Sequence, residues 1–187
     1  MKLFISGSRN ISQINKNIFD LLDRAIQNNH SLIIGDADGI DREVQKYIKE
    51  KEYKNVIIYH TGIKCRNNEG NWNNFVVETK LKSKNLNFYM QKDIKMAEDA
   101  DVGLAIWDGK SVGTLNNILN LLSHDKAVSV YLSENEKLFN IKNLNDFKKI
   151  LKSLNQKNLE YFEKKLKISK LLNSENLPQQ QTLNFTH

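Results

Sequence analysis

Short apolar runs alternate with amphipathic helical patterns along most of this chain, and this alternation restricts the possible fold more than any other feature. The apolar runs share a high content of Ile, Leu, Val and Phe, and they lie at 2–6, 31–35, 55–60, 87–90, 101–107 and 127–132. Most are continuously apolar, as expected for strands that are covered on both faces. Between them, residues such as Ile18, Leu22 and Ala25 recur at helical spacing. The sequence therefore predicts an α/β fold with a doubly wound, mostly parallel sheet.

The last part of the chain predicts helices that are added to this sheet. After residue 132, the segment LFNIKNLNDFKKILKSL predicts a short extended piece and then a helix, and 156–172 predicts a second helix. The polar end of the chain contains its only proline and is predicted to be disordered. We therefore expect a sheet domain at 1–132, a helical extension at 133–174 and a disordered tail at 175–187.

Composition limits the cellular setting and the chemistry. No apolar run approaches the length of a bilayer span, and the N-terminus lacks a signal pattern, so we expect a cytoplasmic protein with no membrane partner. Cys65 is the only cysteine, which excludes a disulfide framework or a cysteine-based metal site within one chain. The net charge of +6 is compatible with phosphate or nucleic-acid partners. We predict no metal site and no cofactor.

Three glycine-containing loops follow predicted strands. They are GSRN (7–10), GDADGID (35–41) and WDGKSVGT (107–114). Because ligands of doubly wound sheets bind at the carboxyl ends of the strands, where helix N-termini attract anions, these loops are expected to meet at one site. A well-capped strand-to-helix turn is the alternative interpretation of each loop.

The loop residues suggest separate roles at such a site. Side-chain donors and free backbone N–H groups suit phosphate, whereas the carboxylates of Asp36 and Asp38 suit sugar hydroxyls or helix caps. The predicted ligand-binding residues are Gly7, Ser8, Arg9, Gly35, Asp36, Asp38, Asp108, Gly109, Lys110, Ser111, Gly113 and Thr114. Trp72 and Trp107 are candidates for stacking on a base, with packing in a loop or core as the alternative. The polar segment 61–74 is long for a connection, and we expect an ordered flap.

The three loops, together with 92–122, resemble the SLOG superfamily of Rossmann-like nucleotide-binding proteins. This superfamily includes the DNA-processing protein DprA, the cytokinin-activating LOG phosphoribohydrolases and YspA-like proteins. The resemblance covers roughly 1–132. It implies a nucleotide or nucleotide-derived small molecule at the carboxyl edge of the sheet, beside Gly7, Ser8 and Arg9, and it implies a homodimer.

The chain departs from the LOG pattern at one position that affects catalysis. LOG enzymes carry a PGGxGTxxE motif, and the matching stretch DGKSVGTLNN has Asn117 in place of the glutamate. An amide cannot act as a general base, so cleavage would need another carboxylate, for which Asp36 and Glu78 are the candidates. The resemblance thus implies a sensor, a sequestering protein or a weak N-glycosidase. The alternatives are single-stranded nucleic-acid binding, as in DprA, and a LOG-like phosphoribohydrolase with a non-standard carboxylate.

The end of the chain carries one further candidate motif. Gln180, Leu183 and Phe185 in LPQQQTLNFTH have the QxxLxF spacing that resembles peptides with which bacterial replication proteins bind the sliding clamp. A disordered tail can place the two apolar side chains in a pocket while the amide fixes the register. Such a short pattern also arises by chance.

Overall fold

The computed structural model describes residues 1–81 and 86–173, and it forms a single seven-stranded sheet with helices on both faces. The strands are β1 Lys2–Gly7, β2 Ser31–Gly35, β3 Val56–Thr61, β4 Asn73–Val77, β5 Val102–Trp107, β6 Val128–Leu132 and β7 Lys137–Ile141. The helices are α1 Lys16–Gln27, α2 Ile40–Glu50, α3 Leu86–Asp99, α4 Val112–Ser123, α5 Leu144–Leu151, α6 Gln156–Leu166 and α7 Ile168–Asn173.

The strand order is β4-β3-β2-β1-β5-β6-β7, and every neighbouring pair is parallel except β6 and β7. The chain builds outward from β1 to β4 and then returns to place β5 on the other side of β1. This confirms the predicted doubly wound, mostly parallel, Rossmann-like α/β fold. The order reverses between β1 and β5, which is the place where such sheets bind ligands.

The core has two layers because successive side chains of a strand point to opposite faces. In β1, Ile5 packs with Leu22 of α1 and Val44 of α2, whereas Phe4 packs in the other layer, with Met96 of α3 and Ile118 of α4. A strand covered on both faces needs apolar residues at consecutive positions. This requirement explains the continuous apolar runs in the sequence.

The predicted strand at 87–90 is wrong, because these residues belong to α3. Phe88 and Met90 are buried, and the helical register continues to the buried Met96. The strand that precedes α3 is instead β4, which begins inside the segment predicted to be a polar loop. Because β4 is an edge strand with a mostly exposed face, Asn73 and Asn74 are tolerated in it, and its sequence lacks the continuous apolar signal of the inner strands.

Residues beyond 132 pack into the same core as the sheet. The predicted extended piece and helix are β7 and α5, and Phe147 and Ile150 of α5 are buried. The predicted helix at 156–172 is divided at Lys167, whose φ of 49° ends α6 in the left-handed region. Phe162 of α6 is buried. The predicted tail and its Gln180, Leu183 and Phe185 lie outside the described residues.

Candidate functional site

A cavity of about 470 Å³ opens at the carboxyl ends of the central strands. Helices α2 and α4 begin on either side of it, on opposite faces of the sheet, and α3 and α6 complete its walls. Its volume lies within the range of small-molecule sites. Six of the predicted ligand-binding residues line this cavity, namely Gly7, Arg9, Lys110, Ser111, Gly113 and Thr114.

The loop after β1 combines packing residues with one exposed cation. A Cβ on Gly7 would collide with Ile40 of α2 and with the Ile106 carbonyl oxygen, so this glycine permits close packing of β1. Ser8 is fully buried, and its Oγ donates to Asp108 Oδ1 over 2.8 Å. Arg9 is exposed at the cavity and has no ion-pair partner among the described residues. Arg9 is therefore the member of this loop that is available to an anion.

Asp108 shapes the loop after β5 rather than facing the cavity. Its Oδ1 accepts hydrogen bonds from the backbone N–H groups of Lys110 at 3.0 Å and Ser111 at 2.7 Å, in addition to the one from Ser8. Gly109 adopts a φ of +69°, which a side chain would strain. These contacts lock the loop into the conformation that starts α4.

The α4 N-terminus, which we define as residues 110–114, offers unused donors to the cavity. Ser111 caps the helix by accepting from the Thr114 N–H at 3.3 Å. The N–H groups of Val112 and Gly113 have no hydrogen-bond partner among the described residues. A Cβ on Gly113 would make one ordinary van der Waals contact, with Ser111 Oγ at 4.0 Å, so the glycine is not required by protein packing. Free N–H groups at the positive end of a helix form an anion seat, and the Lys110 side chain adds a cation beside it.

Asn117 lies one helical turn below this seat and also lines the cavity. The side chain is buried, and its Oδ1 has no hydrogen-bond partner among the described residues. A buried polar atom without a partner costs free energy unless a ligand or water satisfies it. Asn117 is not among the residues predicted to bind a ligand from the sequence.

The loop after β2 is held by an ion pair with the segment 62–72. Asp36 is only 1% exposed, and the Arg66 guanidinium donates to both of its carboxylate oxygens, at 2.9 and 2.5 Å. Burial raises the pKa of Asp36, but the hydrogen bonds from Arg66 and the charges of Lys92 and Arg66 outweigh it and hold that pKa below its ordinary value. Asp38 is exposed and accepts from Asn67 Nδ2 at 3.1 Å. Both carboxylates are thus engaged by 62–72, and neither lines the cavity.

A second ion pair lies deeper, where α3 meets the loop after β2. Lys92 is buried, and its Nζ donates to Asp93 Oδ1 at 2.6 Å. Burial lowers the pKa of Lys92, but the charges of Asp93 and Asp41 outweigh it and raise that pKa above its ordinary value. Gly35 leaves room here, because a Cβ on it would collide with Lys92 Nζ and Asp41 Oδ2. We call Asp36, Asp41, Arg66, Lys92 and Asp93 the charged cluster.

The sequence analysis did not single out several residues that line the cavity. These are Asn10, Ala37, Asp41, Tyr89, Met90, Lys92, Asp93, Val112, Asn117 and Tyr161. Four of them, Tyr89, Met90, Lys92 and Asp93, lie on α3, for which the sequence predicts a strand at 87–90. The spacing of Tyr89, Lys92, Asp93 and Met96 is that of one helical face and is the signal that could have located them.

The two tryptophans are structural. Trp107 is fully buried against Phe162, and its Nε1 donates to the Ser111 carbonyl at 3.0 Å. Trp72 is buried in the opposite layer, and its Nε1 donates to the Tyr53 carbonyl at 2.9 Å. Neither ring is open for a base to stack on it, because each is enclosed by the protein. The exposed aromatic side chain at the cavity is Tyr161 of α6, which is 45% exposed.

The candidate catalytic carboxylates do not line the cavity either. Asp36 is paired with Arg66, and Glu78 is exposed after β4 and does not line the cavity. Within residues 1–81 and 86–173, no three His, Cys, Asp or Glu side chains are grouped as a metal site. In the same part of the chain, no helix has the length and apolar character needed to cross a membrane.

Comparison of the chain with protein-family models gives no match, and comparison with curated proteins gives no significant match.

Proposed function

We propose that this protein binds a nucleotide, or a small molecule derived from one, with its phosphate at the α4 N-terminus. The observation that carries the proposal is the pair of N–H groups at Val112 and Gly113, which have no partner among residues 1–81 and 86–173 and belong to residues that line a cavity at the reversal of strand order. Arg9 and Lys110 supply the cations that a phosphate needs, and no carboxylate in the described part of the chain pairs with either of them. The resemblance of the three loops to the SLOG superfamily supports the same ligand class.

The shape of the cavity favours a mononucleotide over a nucleic-acid strand. A single strand is bound along an extended basic groove with aromatic side chains at intervals. Here the donors converge on one cavity of about 470 Å³, and Asp41 and Asp93 form part of its wall. Carboxylates at this position repel a continuous phosphate backbone, whereas one terminal phosphate can lie at the opposite wall.

We favour a binding role, as a sensor or sequestering protein, over catalysis. Cleavage of an N-glycosidic bond needs a carboxylate that stabilises an oxocarbenium-like centre and a positioned water. Asn117 supplies an amide where the LOG motif has a glutamate, and the alternative carboxylates Asp36 and Glu78 do not line the cavity. The carboxylates that do line it, Asp41 and Asp93, lie on α2 and α3 and not at the position of that glutamate on α4. We therefore expect release of free base from nucleoside monophosphates to be absent or slow, as measured by chromatography. Robust release of base would contradict this role.

Calorimetry with a panel of nucleoside 5′-monophosphates and the corresponding nucleosides tests the proposal. We expect monophosphates to bind and nucleosides to bind much more weakly, because the phosphate contacts are lost. Arg9→Ala removes a charge-assisted contact and should weaken binding by about 10- to 100-fold, whereas Gly113→Val should abolish it by filling the space over the seat. Lys16→Ala is the matched control, since Lys16 is an exposed cation paired with Asp20 on α1. Equal binding by Gly113→Val and the unaltered chain would refute the phosphate position.

A further inference from the structure

Asp41 is a carboxylate at the cavity that has no ion-pair partner among the described residues. It lies in the first turn of α2, is 7% exposed and lines the cavity. The one hydrogen bond that it accepts among the described residues comes from the Ala37 N–H, at a long 3.3 Å. No cation of the described residues lies within ion-pair distance of it.

The charges around Asp41 do not balance. The charged cluster contains three carboxylates and two cations, and the two cations are paired with Asp36 and Asp93 at 2.5 and 2.6 Å. Asp41 is the carboxylate left over, and burial raises its pKa to about 6. At neutral pH it therefore presents a buried negative charge with lone pairs that a ligand can satisfy.

The chemistry of this position selects hydrogen-bond donors that carry no negative charge. A phosphate is repelled by Asp41 and Asp93, and the attraction of a free cation to Asp41 is reduced by Lys92, whose charge already acts on this carboxylate. Sugar hydroxyls are neutral donors that suit an acceptor-only carboxylate. Asn117 offers a second polar group in the same cavity, since its buried Oδ1 lacks a partner among the described residues.

The distance between the starts of α2 and α4 suits the length of one sugar phosphate. Helix α2 begins after β2 and α4 begins after β5, and β1 lies between these strands. Two interstrand spacings separate the strand ends by about 10 Å. A sugar with its 5′-phosphate at the α4 N-terminus is therefore long enough for its hydroxyls to reach the α2 side.

We propose that Asp41 accepts hydrogen bonds from the ribose hydroxyls of the ligand, so that the site selects ribonucleotides over 2′-deoxyribonucleotides. The proposal rests on the phosphate position proposed above. A ligand without the 2′-hydroxyl leaves a buried carboxylate unpaired, which lowers affinity by at least about tenfold. Asp36 and Asp38, to which the sequence analysis gave this role, are engaged by Arg66 and Asn67 instead.

The proposal also predicts the direction of pH dependence. Binding needs the carboxylate form of Asp41, so affinity is full well above pH 6 and falls as the pH drops through about 6. Asp36, Lys92 and Asp93 act on this titration directly, and Arg9 and Lys110 face the same cavity. The ligand phosphate also titrates near this pH, with a second pKa of about 6. In Asp41→Asn, the pH dependence of affinity retains the contribution of the ligand phosphate and lacks that of the carboxylate. The difference in pH dependence between the unaltered chain and Asp41→Asn therefore measures the contribution of Asp41.

Calorimetry of the full chain with matched pairs of ribonucleoside and 2′-deoxyribonucleoside 5′-monophosphates tests the proposal. At about pH 7.5, where Asp41 is ionised, we expect the ribonucleotide of a bound pair to bind at least about tenfold more tightly than its partner. Asp41→Asn should reduce ribonucleotide affinity toward that of the deoxyribonucleotide and leave deoxyribonucleotide affinity nearly unchanged. Glu43→Gln is the matched control on the same helix, because Glu43 pairs with Lys46 at the surface.

The outcomes separate this proposal from the proposed function. Equal affinity for the two members of a bound pair would overturn the role of Asp41 while leaving the phosphate position intact. Failure of every monophosphate to bind would overturn both. Misfolding does not confuse the result, because Asp41→Asn removes a buried charge and should melt no lower than the unaltered chain near neutral pH.

Discussion

The α4 N-terminus and the charged cluster lie at the same cavity, yet their polar groups are used differently. In the charged cluster, Arg66 forms an ion pair with Asp36, and Lys92 forms an ion pair with Asp93. Four of its five charged side chains are therefore paired within the protein. At the α4 N-terminus, the N–H groups of Val112 and Gly113 have no partner among the described residues. The difference indicates that the charged cluster mainly maintains the shape of the cavity and that the α4 N-terminus is available to a ligand. Asp41 is the exception within the cluster.

The largest effect that we expect comes from breaking the ion pair that holds the segment 62–72. Arg66→Ala leaves the buried Asp36 carboxylate without its partner and should lower the free energy of unfolding by about 3 kcal/mol. Arg42→Ala is the control, because the Arg42–Glu69 pair tethers the same segment at the surface and should cost less than about 1 kcal/mol. Urea denaturation measures both. Equal losses would show that the buried pair has no special structural role.

The positions of the loops could be predicted from the sequence, but the division of roles could not. Glycine, serine and aspartate directly after apolar runs indicate strand-to-helix turns, and Gly7, Gly35 and Trp107 do end their strands. Nothing near Asp36 in the sequence shows that Arg66, in a later loop, engages both of its oxygens. Ion pairs and hydrogen bonds between residues that are far apart in the sequence determine which polar groups remain free for a ligand. The spacing of residues within one loop does not show these contacts.

The wrong prediction of a strand at 87–90, within α3, also came from local sequence alone. Phe88 and Tyr89 are typical of strands, and the short apolar run around them was assigned by residue type. The spacing of Tyr89, Lys92, Asp93 and Met96 was the better guide, because one helical face carries both the core contact of Met96 and the cavity residues. With α3 misassigned, neither Lys92 nor the environment of Asp41 could be anticipated.

Replacing Gly7 or Gly113 by alanine distinguishes a glycine that permits packing from one that lies at the α4 N-terminus. Gly7→Ala places a Cβ against Ile40 and the Ile106 carbonyl and should destabilise the fold by about 1–3 kcal/mol. Gly113→Ala places a Cβ in ordinary van der Waals contact with Ser111 Oγ in a helix, and it should leave the free energy of unfolding unchanged or raise it by up to about 1 kcal/mol. Thermal melting distinguishes the two. A large loss of stability for Gly113→Ala would mean that this glycine serves packing and not a ligand.

A smaller effect is expected at Tyr161, which α6 presents at the cavity. The helix is anchored by Phe162, whose ring lies 5.7 Å from that of Trp107 between centroids. If the base of the nucleotide stacks on Tyr161, Tyr161→Ala should weaken nucleoside monophosphate binding about fivefold or more without affecting ribose 5-phosphate. Tyr161→Phe retains the ring and should bind normally. Equal weakening of both ligands by Tyr161→Ala would contradict contact with the base.

The most direct test of the account is a backbone amide NMR titration of the full chain with ribonucleoside 5′-monophosphates. We predict that the amide resonances of Val112 and Gly113 shift most strongly, because both residues line the cavity and their N–H groups have no hydrogen-bond partner among the described residues. The amide of Arg66, which donates to Asp36 at 3.2 Å, should shift little. Saturating shifts centred on Arg66 and its neighbours, with Val112 and Gly113 unchanged, would contradict the claim that the α4 N-terminus holds the ligand.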